Sequence, residues 1–258
     1  MDAAETRQLI KRFTAIPAQR AASLLLLTIF MAAGASQLVN AQKVIRMHDG
    51  LNIKHIGTDF PITDLDSKNW EQAEKVNITT YWSGSPAPND RQFTARLLWS
   101  DKALYVKFEA TQEEPLVVSD KPDLSKKTMG LWDRDVCEIF IAPDPSNVNK
   151  YYEFEIAPTG EWIDIGIEAL PDKRVADWDY SSGMTSAARV EKEKVTVAIR
   201  VEWKALGRTP KTGDKWAGNL YRCVGKDPTR GYLAWRPTLS KEPSFHVPSK
   251  FGKFKFVK

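Results

Sequence analysis

The sequence predicts an all-β protein, an antiparallel β-sandwich of jelly-roll or immunoglobulin-like form with about ten strands. Three observations carry this reading. Hydrophobic runs are short, and several alternate apolar with polar residues, the pattern of a strand with one buried face. The 14 Gly and 15 Pro mostly lie between those runs, where turns belong. No amphipathic helical pattern exceeds two turns, while nine Trp in 258 residues demand a large β core or an aromatic binding surface.

The N-terminal stretch is set apart first. Arg7, Lys11, Arg12 and Arg20 precede an apolar run, residues 21–35, centred on Leu24, Leu25, Leu26 and Leu27. A membrane span needs roughly 20 such residues, so the run is short for one. Val39 and Ala41 satisfy the small-residue cleavage rule, and residues 1–41 read as a secretory signal peptide with a long basic n-region. An uncleaved N-terminal anchor is the other reading of the same run. The mature chain, residues 42–258, is then one domain, secreted or periplasmic, with no membrane association after cleavage. Part of the net charge of +4 belongs to the leader, and no Lys/Arg block remains that would favour nucleic acid.

The strands follow in order. Residues 93–99 and 104–108 make a hairpin about a polar loop, with Leu104, Val106 and Phe108 on one face and Lys107 and Glu109 on the other. Residues 136–141 are apolar except for Glu138. Residues 151–157 alternate Tyr152, Phe154 and Ile156 with Tyr151, Glu153 and Glu155. The turn at 157–160 leads into 161–167, and 184–190 pairs with 195–201 through a charged turn. Runs at 216–224, 231–235 and 251–257 complete the set. Residues 70–75 and 203–206 read as single helical turns. The long loops at 83–90, 112–129 and 171–182 are where a rigid sandwich carries binding residues.

Chemistry concentrates in two segments. In the first, Trp132 lies in a loop just before an apolar strand that contains Glu138. A carboxylate there needs a cleft or a buried partner, and Arg134, Arg222 and Arg236 are candidates. In the second, Asn219 and Arg222 precede Trp235, which ends a short run before Arg236 and Pro237. Two tryptophans, Trp132 and Trp235, facing each other across a slot would stack on sugar rings, with Glu138, Asn219 and Arg222 meeting hydroxyls. Cys137 and Cys223 could form one disulfide in an exported protein, or remain buried thiols. Two Cys and three scattered His match no zinc spacing.

With these residues in place, the chain resembles family 9 carbohydrate-binding modules, which are DOMON-related β-sandwiches. The carrying motifs are Trp132-x-x-Asp135-x-x-Glu138, Leu97-Leu98-Trp99 with Leu104-Tyr105-Val106, Asn219-x-Tyr221-Arg222, and Ser244-Phe245-His246-x-Pro248-x-x-Phe251-Gly252. The resemblance covers about residues 55–258. It implies a module that holds the reducing end of a plant-type glycan, such as cellulose or xylan, between two tryptophans. Trp132 and Trp235 match that pair, Glu138 the acid, and Asn219 and Arg222 nearby polar positions. The family's site arginine should fall near Glu153 or Glu155, where this sequence has acids instead. Some members hold structural calcium, for which Asp64 with Asp66 and Asp177 with Asp179 are the candidate ligands here.

The function these observations imply is an exported, non-catalytic carbohydrate-binding protein serving carbohydrate catabolism beside separate glycan-degrading enzymes. Two other classes compete. A hydrolase of O-glycosyl bonds would draw its carboxylate pair from Glu138, Glu153, Glu155 and Asp164. A haem- or redox-binding sandwich would use His246 with Met129 or Met184. The place of His246 between Phe245 and Val247 suits a histidine that fixes a loop by hydrogen bonding.

Overall fold

The structure, a computed structural model, describes residues 50–258; the expected signal peptide lies outside the described residues. Thirteen strands form among those residues: β1 (Gly50–His55), β2 (Lys75–Ile78), β3 (Phe93–Trp99), β4 (Ala103–Thr111), β5 (Val136–Ala142), β6 (Lys150–Ile156), β7 (Trp162–Ala169), β8 (Arg174–Asp177), β9 (Thr185–Glu191), β10 (Lys194–Glu202), β11 (Lys215–Val224), β12 (Gly231–Ala234) and β13 (Gly252–Val257). The surplus over about ten comes from β1, β2 and β8, whose short, charge-interrupted sequences GLNIKH, KVNI and RVAD give little periodic signal. Single 3-10 turns form at Lys68–Gln72 and Trp203–Leu206, close to the two expected helical turns. Among the described residues no helix is long and apolar enough to cross a membrane.

The strands pair in the order β8-β7-β6-β5-β11-β13-β1-β3-β4-β10-β9, with β12 on β11 and β2 on β3. Pairing is antiparallel except at β1, which runs parallel to both β13 and β3. The sheet is therefore mixed rather than wholly antiparallel. Between β1 and β3 the chain crosses the outer face instead of turning back directly, and crossovers are what deliver parallel neighbours.

The sheet folds back on itself as a sandwich. Alternate residues of β3, β4 and β10 (Leu97, Val106, Phe108, Val197, Ile199) meet Ile139, Phe154, Leu220 and Phe254 from β5, β6, β11 and β13 in the main core. Full burial of each such side chain stabilises by about 1.5–3 kcal/mol. The outer faces differ. On the β3–β4–β10 layer, Phe60, Leu65 and Trp70 from the crossover cover Tyr105 and Leu98. Phe60 stacks on Tyr105 with centroids 4.7 Å apart, and Lys107 donates to the Leu65 carbonyl at 3.2 Å. On the β5–β6–β7–β11 layer, the outer face carries Phe140, Tyr151, Ile163, Ile165 and Tyr221, with the buried acids Glu138, Glu153 and Glu155 among them.

Register decides the cysteines. Cys137 lies opposite Arg222 and Cys223 opposite Val136. Neighbouring residues on a strand point to opposite faces, so Cys137 enters the main core while Cys223 joins the outer face. Of the two readings, the disulfide is not formed, and both thiols are free and buried. Burial pushes the Cys137 thiol up to about 12.

Candidate functional site

A cavity of about 310 Å³ opens on the outer face of the β5–β6–β7–β11 layer. Its floor is Glu138, Phe140 and Glu153, with Trp132, Trp178, Tyr232, Phe245 and His246 around it and Arg174 at its edge. Strand pairing sets the floor: Glu138 faces Glu155 across β5 and β6, Phe140 faces Glu153, and Tyr221 on β11 faces Glu138.

Trp132 sits in a short turn, Leu131–Asp133, entered through Gly130 at φ 74°, a conformation glycine adopts without steric penalty. Leu131 is wholly buried beneath it. Arg230 ties the turn to β12 by donating to the carbonyls of Trp132 and Arg134, each at 2.7 Å. Trp178 follows β8. There the Asp177 carboxylate accepts from the Asp179 and Tyr180 amides at 3.1 Å and turns the chain. Lys127 pins the loop through the Trp178 and Tyr180 carbonyls.

The two indoles lie 6.1 Å apart, centroid to centroid, at 38°. A sugar ring held between two stacked faces needs about 7–8 Å, twice a carbon–carbon contact. Trp132 and Trp178 therefore form one tilted wall, and a flat ligand lies against it.

The other expected site residues divide by strand parity. Glu138 and Trp132 line the cavity. Trp235 does not: it belongs to the main core, stacked on Phe254 at 5.7 Å and 14°. Its amide donates to the Leu220 carbonyl at 2.9 Å, which turns the indole inward, over Gly252. Arg222 is on the face opposite Glu138, 2% exposed, and donates to the Arg91 and Thr111 carbonyls and to Gln112. Asn219 is on the site face but fully buried and committed: its amide donates to the Tyr221 hydroxyl and the Arg236 carbonyl, each at 2.8 Å, and its oxygen accepts the Arg236 amide. It braces Tyr221 and the start of the C-terminal segment.

Among the described residues the candidate calcium ligands Asp64, Asp66, Asp177 and Asp179 belong to no cluster of three or more metal-ligating side chains. Asp66 is engaged by Arg189 at 2.6 and 2.8 Å, and Asp177 by its own turn. For the hydrolase alternative, Glu138, Glu153 and Glu155 do converge, whereas Asp164 faces the core side, bound by Ser182 and Lys127. For the haem alternative, His246 lines the cavity, but Met184 is in the main core and Met129 is exposed outside the lining. Sequence reasoning missed Trp178 and Tyr232. Trp178 lies in the 171–182 loop already marked as long, so a signal existed there.

Among the described residues no arginine pairs with the three acids, and the donor to Glu138 is the Cys223 thiol at 3.4 Å. Burial, then repulsion from neighbouring acids, holds Glu138 and Glu155 well above the ordinary carboxylate range; burial raises Glu153 as well. Asp133, Cys223, Tyr221, Arg174 and Arg230 are the other charged or titratable groups around them. His246 accepts or donates at Tyr151 through Nδ1, 3.0 Å away. Burial pushes its pKa down to about 3, so it is neutral, and its 3.9 Å approach to Glu153 is not an ion pair.

The linkage has a definite sign. Above the unfolded carboxyl value of 4.5, the native cluster keeps protons that the unfolded chain releases, so stability falls as pH rises toward the native values. His246 acts in the opposite direction, but only between about 3 and 6.5. In buffer free of divalent ions, Glu155→Gln is therefore expected to raise the melting temperature at pH 8 and to flatten its decline above pH 6.5. Calorimetric melts of both proteins from pH 6.5 upward check this; parallel curves would show that the cluster holds no extra protons.

Comparison with known proteins follows the same lines. The family described as carbohydrate family 9 binding domain-like matches residues 64–258. A curated relative, an "Extracellular protein" of Arthroderma benhamiae, is 26% identical over 180 residues, covering 64% of this chain and 79% of that protein. Among solved structures, a candidate carbohydrate-binding protein from Bacteroides uniformis superposes with a TM-score of 0.64 at 17% identity, covering 80% of this chain and 98% of that one. A family 9 carbohydrate-binding module from Caldicellulosiruptor kristjanssonii, solved with cellotriose, gives 0.59 at 15% identity, covering 81% and 93%.

Proposed function

Because the chain belongs to the carbohydrate family 9 binding domain-like family, we propose that it is an exported, non-catalytic protein that binds a plant-type glycan in the Trp132/Trp178 cavity. The carrying observation is the lining of that cavity: indole, phenol and imidazole walls above a carboxyl floor. Sugar rings offer flat C–H faces to such walls, and their hydroxyls need acceptors such as Glu138 and Glu153. At about 310 Å³ the cavity is at the small end of ligand pockets, suited to one or two sugar rings. A chain terminus fits such a space better than the middle of a polymer. Cello- and xylo-oligosaccharides are the ligands of choice, given the cellotriose bound by the similar Caldicellulosiruptor module. Export accords with the name of the Arthroderma relative, and work beside separate glycan-degrading enzymes is part of the same proposal.

Calorimetric titration with cello- and xylo-oligosaccharides, native and end-reduced, tests the reading. Saturable heat that disappears on reduction of the sugar end is the expected result. Equal heat from both forms would move binding to an open face. Absence of heat with every sugar would refute the carbohydrate reading.

A further inference from the structure

Glu138, Glu153 and Glu155 each offer an oxygen within 4.8 Å of the others, and all three are at least 97% buried. Among the described residues, neither Glu155 oxygen nor Glu153 Oε2 has a hydrogen-bond partner outside the cluster, and the contact between the Glu153 and Glu155 carboxyls is one only if a proton is shared. Nearby guanidinium groups are spent elsewhere: Arg134 on Glu161, Arg222 on the Arg91 and Thr111 carbonyls, and Arg230 on the Gly225, Trp132 and Arg134 carbonyls. Arg174 lines the cavity but is itself exposed. Buried oxygens without donors are costly, and three buried acids close enough to share one ion call for a positive centre among them.

We propose that this triad is a divalent-cation site in the floor of the cavity. Two oxygens bound to one ion at about 2.4 Å lie at most about 4.8 Å apart, and one oxygen from each of the three acids falls within that limit of the other two. Hard carboxylate donors suit calcium or manganese; the Cys223 sulfur beside Glu138 and the His246 Nε2 3.9 Å from Glu153 lie outside the three-acid group, so zinc fits the site less well. Glu155 is wholly buried and does not line the cavity, so a bare ion reaches it where an ammonium group on a sugar ring does not. Two positive charges against three carboxylates leave one negative charge, or none if a single proton stays. The side of the ion toward Glu138 and Glu153 faces the cavity, where a sugar hydroxyl would complete its shell. That last point rests on the carbohydrate reading; ion binding does not.

The test begins with purified protein stripped by chelator and dialysed against calcium, manganese or zinc alone. One ion per chain is expected, with a higher melting temperature and, for manganese, a bound electron-spin signal. Glu155→Gln should weaken the ion at least tenfold, and Glu153→Gln, which carries the same test should the first variant not fold, should do likewise. No ion retained and no melting shift with any of the three metals would overturn the site, as would undiminished binding in the variants. Sugar titrations with and without the ion come second. Sugar affinity indifferent to the ion would overturn its role as a sugar ligand, and bound metal with no sugar heat would sink the carbohydrate reading alone.

Discussion

Trp178→Ala is expected to weaken oligosaccharide binding by roughly 30-fold, about 2 kcal/mol, the scale of a tryptophan hot spot. Its indole is 47% exposed and leans on Trp132, so its contact area belongs to a ligand rather than to the core. Removal should shift thermal stability little, because the loop is held by the Asp177 turn and by Lys127, neither of which needs the indole. Trp132→Ala should lose affinity too, and also some stability, since its ring packs against the outer-face cluster. Titration and melting of both variants separate the two roles. Unchanged affinity in both would remove the aromatic wall from the site.

Gly218→Ala carries the largest expected effect on stability. An added Cβ would lie 2.2 Å from Phe254 Cε2 and 2.5 Å from the Phe140 carbonyl oxygen. The ring could move only by disturbing Trp235, stacked on its other side, and the carbonyl belongs to the neighbouring strand β5. A loss of about 3 kcal/mol is expected, the upper end of overpacking costs, or roughly 10 °C in melting temperature for a domain of this size. Gly57→Ala is the control, because nothing lies within 4 Å of its added Cβ. Equal melting of the two variants would mean that β11 and β13 tolerate separation.

The strands of the core were legible because apolar and polar residues alternate in them, as in KVTVAIRVE of β10, although the crossover buries much of the outer face of β4 and β10 as well. The site was legible only in part. Trp132 and Glu138 lie where a loop meets a strand, and local pattern is enough to place both. Trp235 misled because the end of a short strand reads as a rim, whereas its amide bond to Leu220 swings the ring inward. Parity carried a warning that was available in advance: Asn219 and Arg222 are three residues apart on one strand and cannot share a face. The same count separates Cys137 from Glu138. Trp178 had only the length of its loop as a marker, because its place depends on Lys127, 51 residues away.

The pairing of β1 has a consequence for when this sheet can exist. Five residues of β1 find partners on β13, from Gly50 with Lys253 to Lys54 with Val257, but only two on β3. The first described strand thus waits for one that emerges some two hundred residues later in synthesis. Contacts of such separation form late and slowly. Without β13, β11 keeps only its partners β5 and β12, and β1 is held to β3 by two residue pairs. Closure of the sandwich is therefore tied to the arrival of its C-terminal strand, so a chain cut short before β13 loses the seam that joins its two layers.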